Sequence, residues 1–213
     1  VSENISDISG LEHAVNLIEL RISQNQISDL SPLEDLANLE VLYFYGNDVG
    51  DISPLRNLTE LNFLNGGDNQ IGDISALESL TALRALWLNG NQISNIRSLA
   101  NLTDLNYLRL EENSISEISA LSLLTKVENL WLHNNQIDEL SPLQSMSALT
   151  ELHLQNNKVT DIDPLLWSQA GGGPENLLFV DLRDNKLDLT QDSQDIQNME
   201  KLRSRGVNVI ADP

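Results

Sequence analysis

Apolar positions return along this chain on a long and constant period. Asn occupies residues 25, 47, 69, 91, 113, 135 and 157, a step of 22 residues each time, and the same apolar frame surrounds each one. The frame reads Leu39-x-x-Leu42-x-Phe44-x-x-Asn47, Leu83-x-x-Leu86-x-Leu88-x-x-Asn91 and Leu105-x-x-Leu108-x-Leu110-x-x-Asn113, and an eighth copy runs from Leu177 through Val180 and Leu182 to Asn185. Downstream, apolar residues keep fixed offsets, as in Ile27, Leu30, Leu33 and Leu36, or Ile93, Ile96, Leu99 and Leu102.

Each unit predicts a short strand, a turn and a tight return. The Leu-x-Leu part has the period of two of a strand with one buried face. Strands that recur every 22 residues with a return between them run parallel and stack on one another. In Ser31-Pro32-Leu33-Glu34 the Ser is placed as an N-cap, Pro at the first helical position and Glu as the closing member of a capping box. Pro32, Pro54, Pro142 and Pro164 share this phase, which predicts a short turn of 3-10 type in each copy. The repeated Asn sits where the chain leaves the strand, and is expected to bond backbone groups the turn leaves unpaired, one rung above another. With strands about 4.8 Å apart and returns wider than strands, the stack curves with the strands inside.

At these residues a family resemblance becomes visible. Asp51-Ile52-Ser53-Pro54-Leu55, with its near copies Asp29-Leu30-Ser31-Pro32-Leu33 and Asp161-Ile162-Asp163-Pro164-Leu165, resembles the bacterial internalin-type leucine-rich repeats. The resemblance spans essentially the whole chain. It implies an α/β fold, a right-handed leucine-rich-repeat solenoid or horseshoe, with a parallel sheet on the concave side and 3-10 or short helical turns on the convex side. It also implies a secreted or surface-attached protein that binds proteins or glycans through that sheet, without implying one ligand. Internalins carry a helical cap before the repeats and commonly an immunoglobulin-like domain after them. Neither is visible here, and an invasion function is not carried over. Cytosolic phosphatase-regulatory repeat proteins share the 22-residue period but lack the Ser-Pro-Leu turn, so a cytoplasmic scaffold is the alternative reading.

The expected organisation is a single domain over 1–213. Residues 1–16 hold only the return half of a repeat (Ile5, Ile8, Leu11), which suggests a chain beginning inside a longer protein; eight repeats fill 17–185, and 186–213 form a C-terminal cap. The cap is expected as a helix from about Gln191 to Arg205, with Ile196, Met199 and Leu202 on one face, Lys201, Arg203 and Arg205 against the dipole and Gly206 as terminator. Val207 and Val209 read as a last strand, so the solenoid is expected to end near residue 213. Two irregularities interrupt the pattern. The return from Leu165 to Leu177 is six residues longer than the others and contains Trp167 and Gly171-Gly172-Gly173-Pro174. It reads as a tolerated surface insertion, with Trp167 packed at its base. At Gly66 the frame loses its second buried position, with Gly67 beside it, which predicts a bulge or a notch in the sheet.

Composition removes several function classes. The formal charge is −20, from 12 Lys and Arg against 32 Asp and Glu, which opposes nucleic acid and anionic membranes as partners. No apolar run reaches the roughly 18 to 20 residues needed to span a bilayer, so no membrane insertion is expected. The chain has no Cys, which excludes disulfides and thiolate chemistry. No nucleophile–base pair, phosphate-cradling loop or convergent acid pair is legible, so no enzyme activity and no cofactor are expected.

What remains is the outward face of the strands, readable as three columns. The first runs Glu19, Val41, Phe63, Ala85, Tyr107, Asn129, Glu151, Phe179. The central column is Arg21, Tyr43, Asn65, Trp87, Arg109, Trp131, His153, Asp181, and the third is Ser23, Tyr45, Gly67, Asn89, Glu111, His133, Gln155, Arg183. Of nine aromatic residues, seven fall in these columns. Strand propensity explains part of this, but solvent-facing rings gathered on one side point to a covered surface. The candidate contact residues are Tyr43, Tyr45, Phe63, Trp87, Tyr107, Arg109, Trp131, His133, His153 and Phe179. The expected partner of this monomeric module is a protein, or else a glycan stacked on Trp87 and Trp131, met outside the cell or at its surface. His133 and His153 could share a metal with Glu111 or Glu151, but unliganded histidines are the commoner case and no metal is assigned. Arg109 beside Glu111 and Glu151 reads as a solvated ion pair. The acidic or Asn positions 29, 51, 73, 95, 117, 139 and 161 read as caps of the return turns rather than calcium ligands.

Overall fold

A computed structural model describes residues 4–166 and 172–213. Trp167 and Gly171, and with them the expected packing of Trp167, lie outside the described residues. The repeat frame becomes nine three-residue strands: β1 Glu19–Arg21, β2 Val41–Tyr43, β3 Phe63–Asn65, β4 Ala85–Trp87, β5 Tyr107–Arg109, β6 Asn129–Trp131, β7 Glu151–His153, β8 Phe179–Asp181 and β9 Asn208–Ile210. They form one parallel sheet in sequence order. The register never slips, so Glu19, Val41, Phe63 and Ala85 face one another across β1 to β4, as do Arg21, Tyr43, Asn65 and Trp87.

Opposite the sheet, 3-10 turns occupy the returns, from Ser31–Leu33 to Asp163–Leu165. Between the two layers lies a column of Leu and Ile with near-zero exposure. It follows from the alternation: the middle residue of strands β2 to β8 is buried, while its neighbours face outward.

The ladder asparagines weld the stack. Asn47 Nδ2 donates to Phe44 O in its own turn (2.8 Å) and to Ile22 O one repeat back (3.0 Å), while its Oδ1 accepts from Ile27 N–H (3.0 Å). Asn113, Asn157 and Asn185 repeat this pattern. The residue before each rung is left-handed, and Gly46 and Gly90 supply the freedom this needs at two rungs (φ 66° and 64°).

The return turns are capped differently from the expected Ser capping box. Ser31 lies inside its turn and Leu30 occupies the N-cap without a side-chain bond. The carboxylate two residues upstream does the capping: Asp29 Oδ1 accepts from Ser31 N–H at 2.8 Å, and Asp51, Asp73, Glu117 and Glu139 do the same for Ser53, Ser75, Ser119 and Ser141. The acidic column is therefore a set of caps, as expected.

The bulge expected at Gly66 is absent. β3 pairs in register on both sides, and Gly66 N–H donates to Trp87 O at 2.9 Å. A Cβ on Gly66 would overlap the ring of Phe44, so the missing side chain makes room for the fully buried aromatic of the preceding repeat. At the C-terminus, helix α1 spans Gln194–Ser204, three residues shorter at its start than expected. Asp192 is left-handed (φ 68°), and Ser193 caps the helix by accepting from Ile196 N–H. Met199 and Leu202 are buried, Gly206 follows with φ 88°, and β9 pairs with β8. Arg205 Nη2 donates to Pro174 O (3.1 Å) and holds the exit of the long return against the helix.

Candidate functional site

The strict register turns the central column into a continuous line of π and cationic groups. Arg21 stands over the Tyr43 ring at 4.4 Å, and Tyr43 meets Phe63 at 4.6 Å between centroids. Phe63 meets Trp87 edge-on at 5.2 Å. The Arg109 guanidinium lies 5.6 Å from Trp87 and 5.7 Å from Trp131, on the two flanking strands. Trp131 and His153 stack at 5.6 Å with planes 9° apart, and His153 meets Phe179 at 5.0 Å.

Two strands show how the line stays unbroken where the central column turns polar. On β3 the buried Asn65 folds back to accept from Gly67 N–H (3.2 Å), and on β8 the buried Asp181 accepts from Arg183 N–H (3.2 Å). At both places the phenylalanine two residues earlier supplies the ring, Phe63 bridging Tyr43 to Trp87 and Phe179 continuing from His153. Burial pushes the Asp181 carboxyl up, but hydrogen bonds from Arg183 and its charge outweigh this and leave its pKa lowered.

The sequence-derived candidates thus divide. Tyr43, Phe63, Trp87, Arg109, Trp131, His153 and Phe179 form the ribbon, with His133 beside it, 6.3 Å from His153. Tyr45 stands apart, bonded to Asp68, which raises the pKa of its phenol. Tyr107 is exposed at 45% and has no ring partner among the described residues. Arg21 was missed as a site residue. It sits in the same column, so its position over Tyr43 was available from the register.

The Arg109 pair is not the solvated one expected. The Glu111 side chain is only 3% exposed, its Oε1 accepts from Arg109 Nε at 2.8 Å, and Arg109 is itself flanked by two indoles. Glu151 takes no part in this pair. Its carboxylate accepts from Asn129 Nδ2 (2.9 Å) and bonds His153 Nε2 (2.7 Å). Burial pushes the His133 imidazole below its ordinary pKa against the opposing pull of Glu111, so the ring is neutral near pH 7. Among the described residues no group of three or more His, Cys, Asp or Glu is arranged to hold a metal ion.

The family model of leucine-rich repeats, in two-copy units, matches residues 15–57, 37–79, 56–101, 81–123 and 125–167. The chain belongs to the leucine-rich-repeat family. Among solved structures, this leucine-rich-repeat chain is similar to internalin C2 of Listeria monocytogenes, with 34% identity over 84% of this chain and 77% of that one, at a TM-score of 0.76. It is also similar to an internalin, inlF, of the same organism, with 29% identity over 97% of this chain and 71% of that one, at a TM-score of 0.73. The ectodomain of the Arabidopsis thaliana receptor kinase GASSHO1/SCHENGEN3, in complex with Casparian strip integrity factor 2, shares the fold at 24% identity and a TM-score of 0.73. It is matched over 88% of this chain and 27% of the ectodomain. No curated protein matches the sequence significantly. Repeat domains of this kind are generally binding modules without catalysis. No helix among the described residues is long and apolar enough to cross a membrane.

Proposed function

We propose that this leucine-rich-repeat chain is a non-catalytic, monomeric recognition module of internalin type. It binds a protein partner along the ring ribbon of its concave sheet, as part of a secreted or surface-attached bacterial protein. The ribbon carries this reading. It places two Trp, two Phe, one Tyr, one His and two Arg in a continuous line of contacts on the open face of the sheet, and Trp, Tyr and Arg are the side chains that dominate interface energetics. Rings already held by their neighbours lose little conformational freedom on binding.

The same packing favours protein over glycan. A sugar stacks on a free ring face, but Trp131 is flanked by His153 on one strand and by Arg109 on the other, which leaves ring edges to meet a partner. The two Listeria neighbours support the secreted bacterial setting at modest identity.

The test is an affinity comparison on partners isolated with the wild-type chain from host or environmental surface proteins. Trp87→Ala with Trp131→Ala should weaken binding about 100-fold or more, some 3 kcal/mol. Ser75→Ala with Ser98→Ala, in the returns, should leave it unchanged. Equal affinity of the double Trp variant and the wild type for every partner would remove the ribbon from the interface.

A further inference from the structure

The residue that enters each strand stands on the flank of the solenoid, just outside the concave columns. Before β2 to β7 it is polar: Glu40, Asn62, Arg84, Asn106, Glu128 and Thr150. Before β8 it is Leu178, 64% exposed. A lone exposed leucine needs no explanation, and Leu123 in a return turn is one. Leu178 differs because it lines a cleft of about 480 Å³, together with Leu177, Ala148, Glu128, Glu175 and Arg205. The exit of the long return forms one wall of this cleft. Arg205 Nη2 donates to Pro174 O and Glu175 O (3.1 and 3.3 Å), Asn176 Nδ2 to Ser147 O (2.8 Å) and Leu178 N–H to Thr150 O (2.9 Å). These bonds tie the wall to helix α1 and to the neighbouring repeat, so the cleft is formed before anything enters it.

The lining sets the chemistry of an occupant. Leu178 and Ala148 give the cleft an apolar side. Glu128 and Glu175 give it charge, and among the described residues neither carboxylate has a hydrogen-bond or ion-pair partner. Arg205 spends Nη2 on main-chain carbonyls. Two carboxylates against one guanidinium leave the cleft negative, in a chain whose net charge of −20 already draws cations. We infer that the cleft takes a segment of the protein partner that carries an apolar side chain and, two residues on, a basic one. The spacing fits. Glu128, Thr150 and Leu178 enter three adjacent strands, so Glu128 and Leu178 stand about 10 Å apart. Residues i and i+2 of an extended segment share a face about 7 Å apart, and the flexible stem of lysine or arginine spans the remainder. Leu177 and Leu178 lead directly into β8, where Phe179 continues the ring ribbon. A partner lying along the concave sheet therefore reaches the cleft by crossing the rim. The inference rests on the concave-face reading for its partner and deepens it by naming one contact and its chemistry.

The probe is the peptide acetyl-Leu-Gly-Lys-amide, titrated at constant ionic strength into chain with isotope-labelled leucine methyl groups and followed by NMR. Leu178→Thr, which places there the residue type of Thr150, identifies the Leu178 signals by their loss. These signals should shift saturably with a Kd of about 1 mM, while those of the exposed Leu123 stay in place. Acetyl-Leu-Gly-Glu-amide, with its charge reversed, and acetyl-Ser-Gly-Lys-amide, without its apolar side chain, should each bind about tenfold more weakly or worse. Glu128→Gln with Glu175→Gln should weaken the lysine peptide by a similar factor. Both glutamates are exposed, and unchanged core methyl signals check that the fold is kept. An indifferent Leu178 at about 10 mM peptide overturns the site. Equal binding of the three peptides, or wild-type affinity of the double Gln variant, overturns the chemistry assigned to it. Trp87→Ala with Trp131→Ala should bind the peptide as the wild type does, so failure of the cleft and failure of the ribbon reading are read separately.

Discussion

Phe44 and Gly66 are complementary volumes one repeat apart, and their pairing sets the cost of changing either. Gly66→Ala would drive a methyl into the Phe44 ring in a core without slack. It should destabilise the chain by about 1–3 kcal/mol in urea denaturation, and Phe44→Leu in the same chain should recover much of the loss. Wild-type stability for Gly66→Ala alone would contradict this packing. The sequence shows that Gly66 breaks the frame, but not that the vacated space is filled from the neighbouring repeat, because volume is shared between rungs rather than along them. The same limit applies to Glu111. Its column is legible, whereas its burial depends on Arg109 lying between two indoles.

At the scale of the element, the return turns and the final helix depend on their caps. Ser53 N–H and then its hydroxyl lower the Asp51 carboxyl, while for Glu139 the Ser141 hydroxyl acts before its N–H. Because the folded carboxyls titrate below their ordinary values, the unfolded chain takes up protons first as pH falls. Their contribution is complete above the ordinary carboxylate range and is lost as pH drops through the folded values. Asp195, pushed up by burial, works in the opposite sense. Asp51→Asn with Glu139→Gln should therefore remove that contribution at neutral pH while keeping the turns capped, and so flatten the fall of stability between about pH 7 and pH 3. Asn95 already caps Arg97 N–H without a charge. An unchanged acid slope, read from urea midpoints, would contradict the capping role. Ser193→Ala should cost about 1 kcal/mol and speed amide exchange at Ile196, whereas unchanged exchange there would leave the helix start to Asp192. The period announced the turns, and the change of pattern after Asn185 announced the helix. The Ser capping box was misplaced because Ser, Asp and Pro are each good helix-start residues, and only backbone geometry decides which one bonds the free N–H.

For the whole molecule, the decisive quantity is register. Strands that never slip bring residues 22 or 28 apart in sequence into contact, so the ribbon was legible as columns before any coordinates. The columns did not show which rings touch. Phe63 and Phe179 were assigned to a different column, yet they complete the line where Asn65 and Asp181 fold back. The proposed binding surface is built from rings that already hold one another in place. Its central claim is tested most directly by hydroxyl-radical footprinting of the chain alone and in complex. Tyr107, 45% exposed on the sheet, and Leu123, 56% exposed in a return, report the two sides within one sample. The account predicts that the partner protects Tyr107, Trp87 and Trp131 while Leu123 reacts as before, and protection of Leu123 with unchanged oxidation of the three rings would contradict it.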